Sequence, residues 1–119
     1  MRSYVVLLTL TFLACSYAEE LYPDKYDNID VDNLLHNDRL REQYYNCFVD
    51  KGPCITSGSA FFKEYLPEAV ATKCKKCTEK QKESFDRIAE WYAENQPDKW
   101  NYFVEVMLKK MSGEAVNKK

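Results

Sequence analysis

The sequence predicts an all-α domain, a compact bundle of five to six helices. Three observations predict it. Apolar residues recur at helical spacing in five stretches between Val31 and Met111, each preceded by a capping residue or opened by a proline. No run alternates at period two over a strand's length between turn signals. Four cysteines, Cys47, Cys54, Cys74 and Cys77, stand among these stretches with six, nineteen and two residues between them, a frame on which short helices can be pinned.

The first stretch of the chain is read separately. Arg2 gives a positive start, Val5 to Ala14 is apolar apart from Thr9 and Thr11, and Ser16 and Ala18 place small residues before a cut at Glu19. Residues 1–18 therefore read as a secretory signal peptide, too short for a membrane anchor, and 19–119 as one domain. Cys15 leaves with the leader, so the remaining cysteines are even in number and face an oxidising compartment.

The mature chain begins with a polar, tyrosine-rich stretch, Glu19 to Asp32, expected to be extended. Val31, Leu34 and Leu35 suggest a short first helix capped by Asp30. Asn37 caps a second, whose face carries Leu40, Tyr44, Cys47 and Phe48 and which Gly52 and Pro53 should stop. Ser57 to Ser59 offers caps for a third helix carrying Phe61, Phe62, Tyr65, Leu66, Ala69 and Val70, with Pro67 expected to kink or restart it. Thr78 and Gln81 form a capping box ahead of Phe85, Ile88, Ala89 and Tyr92. That helix should end near Asn95, because Pro97 disfavours helix at Gln96. Pro97 then opens a last helix, with Trp100, Phe103, Val104, Met107, Leu108 and Met111 on one face and Gly113 as its stop. A short polar tail follows from Glu114.

Reach favours local cysteine pairing, Cys47 with Cys54 and Cys74 with Cys77, although loop entropy alone would favour longer loops. A zinc site is the first rival, but six residues between Cys47 and Cys54 are too many for a knuckle. A redox pair at Cys74 and Cys77, beside Lys73, Lys75 and Lys76, is the second, but no βαβ unit surrounds it.

The net charge of −2, or −3 once Arg2 is removed with the leader, argues against nucleic acid as a partner. No later run is apolar enough for stable membrane insertion. His36 is the one histidine, with no nucleophile beside it, and Glu64 and Glu68 read as a solvated face beside Lys63. With no P-loop, G-x-G-x-x-G or H-E-x-x-H, neither an enzyme nor a cofactor is expected. The tyrosines and tryptophans are mostly core and rim. Several on inward faces would nonetheless suit an apolar channel with a few hydroxyls for a ligand's head group.

Several strings carry a resemblance: Lys25-Tyr26-Asp27-Asn28-Ile29-Asp30-Val31-Asp32, Asn37-Asp38-Arg39-Leu40, Tyr45-Asn46-Cys47, Asp50-Lys51-Gly52-Pro53-Cys54 and Cys74-Lys75-Lys76-Cys77-Thr78-Glu79-Lys80-Gln81-Lys82, with Trp100 beyond them. From about Tyr26 to Trp100 the chain resembles the insect chemosensory proteins. The resemblance implies six helices around an apolar channel, disulfides between neighbouring cysteines, and a secreted carrier of long-chain alcohols, acids, esters and similar semiochemicals. By position it places ligand contacts on Tyr26, Tyr44, Gln81 and Trp100. Helix faces add walls from Ile29, Val31, Leu40, Phe48, Phe62, Leu66, Val70, Ile88 and Phe103. The expected partners are a hydrophobic small molecule and a membrane receptor, and the expected state is a monomer. The reading kept beside it is a secreted interaction or signalling protein of development or defence, its cavity only structural.

Overall fold

The computed structural model describes residues 20–113. The expected signal peptide over 1–18 and the polar tail from Glu114 lie outside the described residues. Five helices are described, α1 Val31–His36, α2 Asp38–Phe48, α3 Ser57–Thr72, α4 Glu79–Asn95 and α5 Pro97–Ser112. Among the described residues there is no strand.

Local chemistry sets most of the helix ends. Asp30 Oδ1 accepts from the Asn33 N–H at 3.0 Å, and Asn37 Oδ1 from the Leu40 N–H at 3.1 Å. At α4 the Thr78 hydroxyl accepts from the Gln81 N–H at 3.1 Å, while the Gln81 carbonyl accepts from the Thr78 N–H at 3.0 Å. Such caps are each worth about 1 kcal/mol, because they satisfy donors the helix cannot. Pro97 opens α5 and Gly113, at φ 82°, ends it.

Four local expectations are corrected. The cap of α3 is Thr56, one residue before the predicted serines, and Ser59 returns its hydroxyl to the Thr56 backbone as the second half of a capping box. Helix α2 ends at Phe48, ahead of Gly52 and Pro53, because Asp50 takes a left-handed φ of 64° and the Lys51 N–H turns back to the Asn46 carbonyl at 2.8 Å. Helix α3 does not restart at Pro67 but runs through it as one element. The lost hydrogen bond costs about 3 kcal/mol in an isolated helix, and here α3 packs on both α2 and α5. The N-terminal stretch is not extended throughout but turns over residues 25–28, with the Asp27 N–H on the Asp24 carbonyl.

The order of contacts decides the architecture. Weaker contacts aside, α1 packs on α2, α2 on α3, α3 on α5, α5 on α4, and α4 back on α1. Each helix has two neighbours, and the five close into a ring. The main core gathers Leu35 of α1, Tyr45 of α2, Tyr92 of α4, and Phe103, Val106 and Met107 of α5, with Val49 just past α2. A second cluster joins Tyr22 of the N-terminal stretch to Ala69, Cys74 and Cys77. Both disulfides are the local ones, Cys47–Cys54 and Cys74–Cys77, with Cα separations of 4.8 and 5.0 Å. All four sulfurs are thereby occupied, which leaves no thiolate for zinc.

Asp50 ties three elements together. Its carboxylate lies 2.9 Å from Lys63 Nζ of α3 and 3.0 Å from Lys110 Nζ of α5. Lys110 also donates to the Phe48 carbonyl, at the end of α2, at 3.1 Å. Burial alone would push the Asp50 carboxyl up, but the hydrogen bonds and charges of Lys63 and Lys110 outweigh it and hold it below the ordinary 3.8. Asp50→Asn keeps a side chain that tolerates the left-handed backbone while removing the charge. It should lower stability by roughly 1–2 kcal/mol at neutral pH. Because the native carboxyl titrates below its unfolded value, this contribution is present above 3.8 and is lost as pH falls through the native value. Urea denaturation across the acid range should therefore show a shallower pH dependence in Asp50→Asn than in the native protein. Equal slopes would contradict the assignment.

Candidate ligand cavity

The ring encloses a hollow in two chambers. The first measures about 780 Å³ with its open mouth included, and the second about 540 Å³ measured the same way. Leu34, Tyr44, Phe48, Leu66, Phe85 and Ile88 line both, so the chambers share a wall. Every helix contributes: Val31 from α1, Tyr44 from α2, Leu66 from α3, Ile88 from α4 and Phe103 from α5. The lining is almost wholly aliphatic and aromatic, as a site for an apolar molecule requires.

The predicted residues fall around it as follows. Tyr26, Ile29, Val31, Phe62 and Gln81 line the first chamber, and Tyr44, Phe48, Leu66 and Ile88 line both. Trp100 and Phe103 line the second. Leu40 and Val70 line neither. Val70 packs against the main core instead, and Leu40 is a partly exposed residue of α2. Sequence reasoning left out Leu34, Phe61, Tyr65 and Phe85 as wall residues. Leu34, Tyr65 and Phe85 each stand three or four positions from a residue that was named, and Phe61 stands four before Tyr65, so helix periodicity could have found them. Arg41, in the second chamber, stands three positions before Tyr44, but its charge argues against an inward position.

A strap closes one side of the first chamber. Tyr22 donates its N–H to the Lys76 carbonyl at 2.8 Å and its hydroxyl to Glu68 Oε1 at 2.7 Å, and its ring sits 4.9 Å from that of Tyr65. Glu68 is thus part of the strap's anchor, with Lys76 at 3.7 Å, and Lys63 is engaged by Asp50. Farther along the strap, Asp27 accepts from the Thr78 hydroxyl at 2.7 Å and from Gln81 Nε2 at 3.0 Å. Gln81 Nε2 also donates to the Pro23 carbonyl at 2.9 Å. With its carbonyl in the capping box, the Gln81 amide spends both donors on the strap. One side chain therefore starts α4 and fastens the chain that covers the cavity.

The polar atoms near the hollow are few. Tyr44 OH and Thr56 Oγ1 share a hydrogen bond at 3.1 Å, next to Gly58. A Cβ on Gly58 would come within 3.2 Å of that phenol oxygen and 3.5 Å of Ile29 Cδ1, so glycine lets the strap and α2 approach α3 closely. In the second chamber the Trp100 ring stacks with Tyr92 at 6.0 Å and with Phe103 at 5.1 Å. Burial, and then the charge of Glu42, pushes the Tyr92 phenol up to about 12. Burial first, and then the neighbouring phenols and Glu42, pushes Tyr45 higher still, and its hydroxyl donates to the Lys99 carbonyl at 2.8 Å. Both phenols therefore stay protonated at neutral pH. His36 lies exposed with Nδ1 2.8 Å from the Asp32 carbonyl. Among the described residues no group of His, Cys, Asp and Glu is arranged to hold a metal, and no helix is long and apolar enough to cross a membrane.

A closed ring of short helices, two local disulfides and a divided apolar hollow define a small helical protein built around a ligand-sized cavity. The chain belongs to the insect pheromone-binding family A10/OS-D, which matches residues 22–114. It is 44% identical over 96 residues to ejaculatory bulb-specific protein 3 of Drosophila melanogaster, covering 81% of this chain and 73% of that one. It is 40% identical over 98 residues to allergen Tha p 1 of Thaumetopoea pityocampa, covering 81% and 77%. Among solved structures it is similar to a chemosensory protein in complex with bromo-dodecanol, at a TM-score of 0.66 and 34% identity over 78% of this chain and 96% of that one.

The double use of Gln81 yields a test. Gln81→Glu keeps an acceptor for the Thr78 N–H but replaces both strap donors with a charge facing Asp27. Helix α4 should keep its cap, while hydrogen exchange at the Tyr22 N–H rises by roughly tenfold or more as the strap loosens. Unchanged protection at Tyr22 would show that the strap does not depend on this amide.

Proposed function

We infer that this chain is a secreted carrier that reversibly binds long-chain apolar molecules such as fatty acids, alcohols or esters, without bond chemistry. The observation that carries the reading is the divided hollow, walled by aliphatic and aromatic side chains from all five helices. Support comes from membership of a pheromone-binding family and from a structural relative held in complex with bromo-dodecanol. Tyr26, Tyr44, Gln81 and Trp100 are the proposed contacts, with Ile29, Val31, Phe48, Phe62, Leu66, Ile88 and Phe103 as walls. Residues 1–18 are proposed to be removed on export. The mature chain would act as a monomer that delivers its cargo to a membrane receptor.

The energetics suit pick-up and release. Burying an alkyl chain supplies about 0.8 kcal/mol per methylene. Ordering and association costs reduce the total to roughly micromolar affinity. Trp100 lines the second chamber, and the chain's other tryptophan, Trp91, lines neither. Long-chain alcohols and acids should therefore displace a bound fluorescent probe and change tryptophan emission. Trp100→Phe should abolish most of the emission change while leaving probe displacement within a few-fold of the native value. No displacement across a broad panel of chain lengths and head groups would contradict the carrier reading.

A further inference from the structure

The rings around the hollow fall into two groups of different geometry. In the second chamber Tyr45, Tyr92, Trp100 and Phe103 form a stack whose successive rings are inclined by only 27° to 29°. Tyr45, Tyr92 and Phe103 are buried, so their surface is already covered. In the first chamber Tyr22, Tyr26, Phe61, Phe62 and Tyr65 form a cluster. Phe61 is its centre, 5.0 Å from the rings of Tyr26 and Tyr65 and 5.1 Å from that of Phe62, and Tyr22 joins through Tyr65 at 4.9 Å. Neighbouring rings here are inclined by 44° to 85°. Tyr26, Phe61, Phe62 and Tyr65 line the chamber yet are only half-buried, so each keeps surface that the described chain does not cover.

That surface is chemically distinct from an aliphatic wall. An aromatic face is negative and its rim positive, so a second ring is attracted edge to face or offset, beyond the gain from contact area. A guest ring parallel to one member of the cluster is steeply inclined to the next, so both favoured arrangements are on offer together. A cation also favours ring faces, but Lys25 Nζ already lies over the Tyr26 ring at 5.6 Å and would repel one there. Asp27, a charged wall residue, already accepts from Thr78 and Gln81. A charged head group would also lose its hydration in so apolar a chamber. An uncharged ring meets none of these costs.

We propose that the first chamber is a subsite for an uncharged aromatic ring, so that the ligand class held best is a chain ending in a benzene-type ring. The ring sits among Tyr26, Phe61, Phe62 and Tyr65, and the chain runs along Leu34, Leu66 and Ile88, which line both chambers. This rests on the carrier reading and adds a ligand class to it. Phe61, at the centre of the cluster, is the specificity-determining residue.

The test is calorimetric titration of the full mature chain with three alcohols: dodecanol, and phenyloctanol and cyclohexyloctanol with the ring at the end remote from the hydroxyl. The two rings are similar in size, but water holds the saturated one less well. A wall that offered only contact area would therefore bind cyclohexyloctanol more tightly. Phenyloctanol should instead bind about two- to tenfold more tightly than cyclohexyloctanol, the ratio expected for a net gain of one aromatic pair. Phe61→Leu reshapes the wall for every ligand, so the quantity compared is the ratio of the two ring compounds within the variant, which should fall to one or below. Nuclear Overhauser contacts from the bound phenyl protons should reach Tyr26, Phe61 or Phe62. Contacts confined to Trp100 and Phe103 overturn the placement, and a ratio unchanged by Phe61→Leu overturns the role of the cluster. Cyclohexyloctanol binding as tightly as phenyloctanol, or more tightly, overturns the ring preference and leaves the carrier reading standing when dodecanol binds. Binding of none of the three removes both. If Phe61→Leu does not fold, the native ratio and the phenyl contacts still decide.

Discussion

The constraint on which this protein depends is that its five helices pack edge to edge in a closed circuit. In a four-helix bundle the apolar faces meet across a common axis and fill it. Here each helix is satisfied by two neighbours, α3 by α2 and α5, α4 by α5 and α1. The inner faces meet over part of their length, where Tyr45 stacks on Tyr92 at 6.0 Å and Phe48 lies 6.4 Å from Phe103, and elsewhere they leave a space that aromatic rings from α2, α3, α4 and α5 narrow without closing. The apolar surface that would have been buried in a solid core is left available to a guest.

A ring of short helices is weak unless its joints are fixed, and most joints carry a device. The Cys47–Cys54 bridge and the Asp50 carboxylate, clasped by lysines of α3 and α5, secure the turn after α2. The Cys74–Cys77 bridge secures the turn after α3, where Lys73 and Cys74 both take left-handed backbone angles of 56° and 62°. Such angles are unfavourable for residues other than glycine, and the Cys74 N–H bonded to the Ala69 carbonyl at 2.7 Å helps to hold them. At the start of α4 the joint is also the fastening for the strap, through Thr78, Gln81 and Asp27. Stability and cavity closure are thus supplied partly by the same atoms.

Local features of this architecture were legible in the sequence and long-range ones were not. Asp30, Asn37, Thr78 with Gln81, Pro97 and Gly113 mark helix ends through chemistry that acts within a few residues, and each does so in the structure. Periodicity likewise picked out Tyr44, Phe48, Leu66 and Ile88, which line both chambers. The continuity of α3 through Pro67 and the early stop of α2 depend on packing and on one backbone angle at Asp50, which propensity does not report. Tyr22 lies in a stretch without periodicity, so nothing in the sequence shows that it is buried. Gln81 was readable as a cap and as a ligand contact by resemblance, but its hold on Pro23 and Asp27 spans more than fifty positions. Arg41 was unreadable because its inward position breaks the rule that charges face water.

The central claim is that the divided hollow is the space a ligand occupies. A crystal structure of the mature chain grown with bromo-dodecanol would test it most directly, because the bromine scatters anomalously and marks its own position. The account predicts a bromine peak between α2, α3 and α4, enclosed by Tyr44, Leu66 and Ile88. Peaks confined to the outer surface, with the hollow empty at saturating ligand, would contradict it.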